Sequence, residues 1–154
     1  MQTQRTTPTA LVSLTAALLL ASGGSVSAQQ LTSAALENWL AGYEQAWELR
    51  DANRAAVLFT ETAGYHEMPF DAPKVGRTGI RDYWTTVTAD QRNVDFKSQV
   101  IAVNGQTGVA RWSASLTSAS SGARVELDGV FILTFNASGL CSELREWWHV
   151  RTSP

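Results

Sequence analysis

The chain has 154 residues, 12 basic and 14 acidic side chains, a net charge of −2 and one cysteine. A mildly acidic balance with no basic patch argues against a nucleic-acid partner, and a lone cysteine excludes an intramolecular disulfide in any compartment. Stability must come from a packed core, for which 44% hydrophobic residues and six tryptophans provide large apolar area.

The N-terminus reads as a targeting segment. Met1 to Pro8 is polar and carries Arg5, Ala10 to Ala21 is apolar apart from Ser13 and Thr15, and SGGSVSAQQ follows, with Val26 and Ala28 at the small-residue positions of a cleavage site. The apolar run is shorter than the ~20 residues of a spanning helix, so cleavage after Ala28 is expected rather than a membrane anchor. No cysteine follows the run closely and no Arg-Arg pair precedes it, which argues against a lipoprotein anchor and a twin-arginine route. Residues 1–28 are therefore expected to be a secretory signal peptide and 29–154 a single domain. The mature protein would be exported to a bacterial periplasm or secreted, with no membrane segment.

Leu31 to Arg50 is predicted as the first helix, because Leu36, Trp39, Leu40, Tyr43, Ala46 and Trp47 form one apolar stripe at three- and four-residue spacings. Thr32 or Ser33 can cap it, and Asp51 can cap a short second helix, Ala52 to Phe59. A strand follows over Ala63 to Met68, with His66 and Met68 on one face and Tyr65 and Glu67 on the other. Pro69 to Gly76 is a loop, and Thr78 caps a third helix whose buried stripe is Ile80, Tyr83, Trp84 and Val87. From Asn93 the apolar period changes to two. Strands are predicted over Val94 to Val103, Val109 to Ser118, Arg124 to Phe135 and Leu140 to Val150. Helices followed by a strand meander indicate an α+β architecture.

The final hairpin carries the feature that most needs an explanation. Alternation along LCSELREWWHV puts Leu144, Glu146, Trp148 and Val150 on one face and Arg145, Trp147 and His149 on the other. A carboxylate among Leu, Trp and Val requires a partner or a purpose, and Glu146 is read as the acidic wall of a pocket. Val130, Ile132 and Trp147 alternate outward, so an apolar patch is expected on the outer sheet face and with it a homodimer through the sheet.

The segments YEQAWELRDANRAAVLFTETAGYHEMPF, GRTGIRDYW, DGVFILTFNASG and LREWWH, in this order, resemble the nuclear transport factor 2-like superfamily and, within it, the SnoaL-like bacterial proteins. The resemblance implies a cone: a strongly curved antiparallel sheet wrapped over three N-terminal helices, with a pocket between them. It places Tyr43 and Trp47, His66 and Met68, Trp84, Trp112, Phe131, Glu146 and Trp148 on the pocket wall. Against the ketosteroid isomerases of the superfamily, the base position is read as Met68 and the second acid as Phe131, so that mechanism is not retained. Against the limonene epoxide hydrolases, Glu146 falls at the last carboxylate of an Asp-Arg-Asp cluster, but Trp112 rather than Arg111 is the inward residue. The SnoaL-like cyclases need one acidic residue in an apolar pocket, a role open to Glu146 or His66.

The candidate catalytic set is thus Glu146 with His66 as partner and Tyr43 as hydrogen-bond donor. The candidate ligand-binding set is Trp47, Met68, Trp84, Trp112, Phe131 and Trp148. The two histidines fall on opposite predicted faces and Cys141 stands apart from both, so no metal site is expected. No phosphate-cradling loop or serine elbow is present, so no cofactor is expected either. Two functions stand side by side. One is a pocket protein that binds a small, largely apolar molecule, with or without cyclase-, isomerase- or hydrolase-type acid–base chemistry. The other is a non-catalytic exported ligand-binding or dimeric scaffold domain. Fold alone does not choose between them.

Overall fold

A computed structural model describes residues 30–153; the expected signal peptide lies outside them. Helix α1 spans Ser33–Leu49. The Thr32 hydroxyl accepts the Ala35 amide at 3.1 Å, and Arg50 closes the helix in the left-handed region at φ 55°. Its buried stripe is Leu36, Trp39, Leu40, Tyr43 and Ala46. The Asp51 carboxylate accepts the amides of Asn53 and Arg54, each at 3.0 Å, and starts α2, Ala52–Ala56. This helix is shorter than its apolar pattern suggests. The Leu58 carbonyl accepts the Cys141 amide at 3.0 Å, and Phe59 already pairs with Cys141, so the sheet claims the chain four residues before the expected strand start.

Strand β1 is Phe59–His66, β2 is Lys74–Val75 and helix α3 is Gly76–Val87. Thr78 does not cap α3: the helix begins two residues earlier, behind Val75, with no side-chain cap. Strands β3 (Gln91–Asn104), β4 (Thr107–Ser118), β5 (Arg124–Phe135) and β6 (Cys141–Ser153) form the meander.

The sheet order is β2-β1-β6-β5-β4-β3. All neighbours are antiparallel except β1 and β6, which run parallel. The sheet is therefore mixed and not wholly antiparallel, because the first strand docks beside the last after the rest of the chain has turned back on itself. The α+β cone is otherwise as expected. One face of the sheet buries Phe96, Ala110, Trp112, Phe131, Leu133 and Leu144 against the helices.

Gly129 shows how tightly this face is packed. A Cβ there would lie 2.5 Å from the Trp147 carbonyl oxygen and 2.9 Å from the Trp112 ring. The rings of Trp112 and Phe131 stack at 5.2 Å beside it. Gly129→Ala should therefore destabilise the fold by about 1–3 kcal/mol through overpacking. Gly105→Ala, with open space around its Cβ, separates packing from backbone strain. Chemical denaturation of both variants measures this, and a wild-type midpoint for Gly129→Ala would contradict the packing described.

Candidate functional site

A cavity of about 350 Å³ lies between the helices and the inner sheet face. Helix α1 contributes Tyr43 and Trp47, one turn apart on its buried stripe, and α3 contributes Tyr83 and Trp84. Strand β4 contributes Trp112 and Leu116, and β6 contributes Glu146, Trp148 and Val150. Asp90, Gln91 and Ser118 stand at one end of the lining. The rings form a continuous cluster: Tyr43 meets Trp84 edge-on at 5.1 Å, and Trp47 lies 5.6 Å from Trp112. The Trp47 indole donates to Gln91 Oε1 at 2.7 Å. The indole N–H groups of Trp84 and Trp112 are buried without a hydrogen-bond partner.

Glu146 is 6% exposed. The Tyr65 hydroxyl donates to its Oε1 at 3.0 Å. Tyr65 lies 2.9 Å from the Tyr43 hydroxyl, and since Tyr65 has spent its one proton on Glu146, Tyr43 is the donor in that contact. The chain therefore runs Tyr43 to Tyr65 to Glu146, and Glu146 also lines the cavity. Burial raises the Glu146 pKa to about 8; the Tyr65 hydrogen bond offsets part of the rise, and the charge of Glu67 adds to it. Burial and then the Glu146 charge hold the Tyr43 and Tyr65 hydroxyls well above their ordinary range. A second carboxylate, Glu67, lines the same cavity. It lies 3.7 Å from Lys74 Nζ, and its proximity helps to raise the Tyr83 hydroxyl's pKa, after burial and the charge of Glu146.

Of the residues singled out from the sequence, Glu146, Tyr43, Trp47, Trp84, Trp112 and Trp148 line this cavity. Three do not. His66 is on the outer face, 3.5 Å from Glu143, so no His66–Glu146 dyad forms. Met68 is 44% exposed beyond the end of β1. Phe131 is fully buried, but it packs behind the wall against Trp112 and Tyr43. The error on β1 is one residue of register. Phe59, Ala63 and Tyr65 are buried, so odd positions face inward and Glu67 continues that face. The pairing of Tyr65 with Leu144 and of His66 with Arg145 places the same residues in and out. The apolar odd positions from Phe59 were a usable signal for Tyr65 and Glu67. Arg111 points away from the cavity and pairs with Asp128 across β4 and β5. Among the described residues, no group of three or more His, Cys, Asp or Glu is placed to hold a metal ion.

The raised pKa has a definite sign in stability. The folded state holds the Glu146 proton more tightly than the unfolded chain. That stabilisation is complete below the ordinary value of 4.5 and is lost as pH rises through about 8. The loss is on the order of 3–5 kcal/mol. Glu146→Gln cannot ionise, so it should match wild type near pH 5 and become the more stable protein near pH 9. Thermal unfolding of both across this range tests it; parallel pH profiles would show that Glu146 does not titrate in this way.

Comparisons with known proteins agree on the architecture. No curated protein sequence matches the chain. Among solved structures, similarity extends to the epoxide hydrolase/cyclase-like enzyme SalBIII, which has a role in pyran ring formation in the polyether salinomycin. The TM-score is 0.66 at 18% identity, over 76% of this chain and 95% of that one. A Δ5-3-ketosteroid isomerase from Mycobacterium sp. aligns with a TM-score of 0.66 at 13% identity, over 77% of this chain and 98% of the other. A computationally designed 17-OHP binder aligns with a TM-score of 0.67 at 16% identity, over 77% and 96%. At these identities the likeness shows the shared fold, a cavity-bearing cone that hosts cyclases, isomerases and binders alike. The sequence profile of the SnoaL-like domain matches residues 40–144, and the chain is a member of the SnoaL-like domain family.

Proposed function

We propose that this protein binds a small, largely apolar molecule in its cavity and performs acid–base chemistry on it, with Glu146 as the acid and Glu67 as the base. The observation that carries the reading is Glu146 itself: a carboxyl group in an aromatic wall, held by one tyrosine hydroxyl and protonated near neutrality. A neutral carboxylic acid offers a proton to a ligand carbonyl, ether or epoxide oxygen. Glu67 is more exposed and has Lys74 beside it, surroundings unlike those of Glu146. Two carboxylates whose surroundings differ in this way divide into acid and base. Tyr43 and Tyr65 are positioning residues that orient the acid. Proton removal at one atom and delivery at another covers isomerisation, ring closure and epoxide opening, the kinds of chemistry named for the structural neighbours. The designed binder on the same fold represents the alternative, binding without reaction.

The test is retention from a mixed small-molecule library by wild type, Glu146→Gln and Glu67→Gln, followed by turnover assays on the retained compounds. Both variants should retain the compounds and lose turnover by about 10²–10⁴-fold, the range for a positioned acid or base. Retention without turnover by wild type would assign the protein to binding alone. Failure of all three to retain any compound would remove the cavity as a ligand site.

We also propose a homodimer through the outer sheet face. Val130 and Trp147 are register partners there and are 38% and 46% exposed, and an apolar pair on a charged face marks a contact surface. The exported location expected from the N-terminus complements this reading. Sedimentation at micromolar concentration should give a dimer, and Trp147→Lys a monomer. A wild-type monomer would rule the interface out.

A further inference from the structure

The cavity lining carries acidic but not basic side chains among the described residues. Four indoles and three phenols share its lining with Glu67, Asp90 and Glu146, and among the described residues no lysine, arginine or histidine lines it. Ring faces carry negative electrostatic potential, and a carboxyl group beside them adds to it once ionised, so a cation with an apolar body is the complementary guest. The protein already shows this chemistry at the cavity's edge. Lys74 Nζ sits 5.1 Å from the centroid of the Tyr83 ring and 3.7 Å from Glu67 Oε2, so one ring–carboxylate pair of the wall is engaging an ammonium group from outside. Asp90 is held ionised by the hydroxyls of Ser118 and Ser120 and the Ser120 amide, which gives the other end of the lining a fixed negative charge.

We propose that the ligand of this cavity is an organic cation, a tertiary or quaternary ammonium on an apolar body, whose charged end lies among the rings against Glu146. The inference rests on the cavity being a ligand site, as argued above, and not on catalysis there. The groups facing Glu146 are Tyr43 from α1, Tyr65 and Glu67 from β1 and Tyr83 from α3. Lys74 on β2 stands behind Glu67, and the β5 register partner, Phe131, brings no charge. No cation among these groups neutralises Glu146 directly. In the empty cavity burial keeps Glu146 protonated near neutrality. A bound ammonium favours the carboxylate and expels that proton, so binding and deprotonation are linked, and toward such a guest Glu146 is a counter-ion and not the acid.

The experiment is calorimetric titration of the full chain with phenyltrimethylammonium and with tert-butylbenzene, its uncharged isostere. Titrations run at pH 6, 7 and 8, in two buffers of different ionisation heat. The cation should bind about tenfold or more tightly than the isostere at pH 8. Its affinity should rise by about tenfold or more from pH 6 to pH 8, with release of close to one proton at pH 7. In Glu146→Gln the proton release and the pH dependence should vanish, while binding of tert-butylbenzene, which reports an intact cavity, persists. Equal or tighter binding of the isostere by wild type would overturn the cation assignment and leave the apolar site standing. Cation affinity that stays flat with pH, or that Glu146→Gln leaves unchanged, would also overturn it. Absence of binding by both probes would overturn the ligand site and the cation assignment together.

Discussion

The structure turns on a single unfavourable placement, the Glu146 carboxyl group inside a wall of aromatic rings. Withdrawing a carboxylate from water is costly, and the protein offers Glu146 one hydrogen bond, from Tyr65, and no cation. The group responds by keeping its proton near neutrality. Tyr65 donates to Glu146, which leaves Tyr43 as the donor to Tyr65, and burial holds both hydroxyls well above their ordinary range. The packed rings that exclude water from Glu146 are the same rings that shape the cavity.

Topology makes this arrangement possible. Tyr65 and Glu67 are about 80 residues from Glu146 in sequence, and they come near it because β1 docks parallel to β6, second and third in the strand order. A two-residue strand, β2, then covers the outer edge of β1 and brings Lys74 next to Glu67. On the opposite face the charges are satisfied among themselves. Arg111 pairs with Asp128, Arg151 with Glu126, and Arg145 and His66 both approach Glu143. These exposed pairs contribute little stability each. Among the described residues the basic side chains lie outside the cavity, whose lining combines carboxyl groups with phenols and indoles.

That partition separates this member from a generic reading of its fold. The structural neighbours include an epoxide hydrolase/cyclase-like enzyme, an isomerase and a designed binder, so the cone supplies a hollow and little more. Chemistry is decided by which charged residues point inward. Here Arg111 and Asp128, one strand apart, point outward together, whereas Glu67 and Glu146 point inward. Substitution of a single inward position would change the charge of the cavity wall.

The residue pattern alone determined the α1 stripe, the four-strand meander and the shared face of Glu146 and Trp148, since periodicities of 3.6 and 2 are local properties of the chain. It also separated inward Trp112 from outward Arg111, because β4 is long and alternates without interruption. It did not determine the register of β1. That strand is short and begins within a stretch read as helix, and its polar residues at 66 and 67 give no preference for either face. Pairing with Leu144 and Arg145 on β6 settled the choice, turning His66 out and Glu67 in. Tertiary structure likewise placed Phe131 behind the wall instead of in it, and it alone united Tyr43, Tyr65 and Glu146 into one hydrogen-bonded chain. Alternation tells which residues share a face. Only the docking of distant strands tells which face is buried and which side chains meet across it.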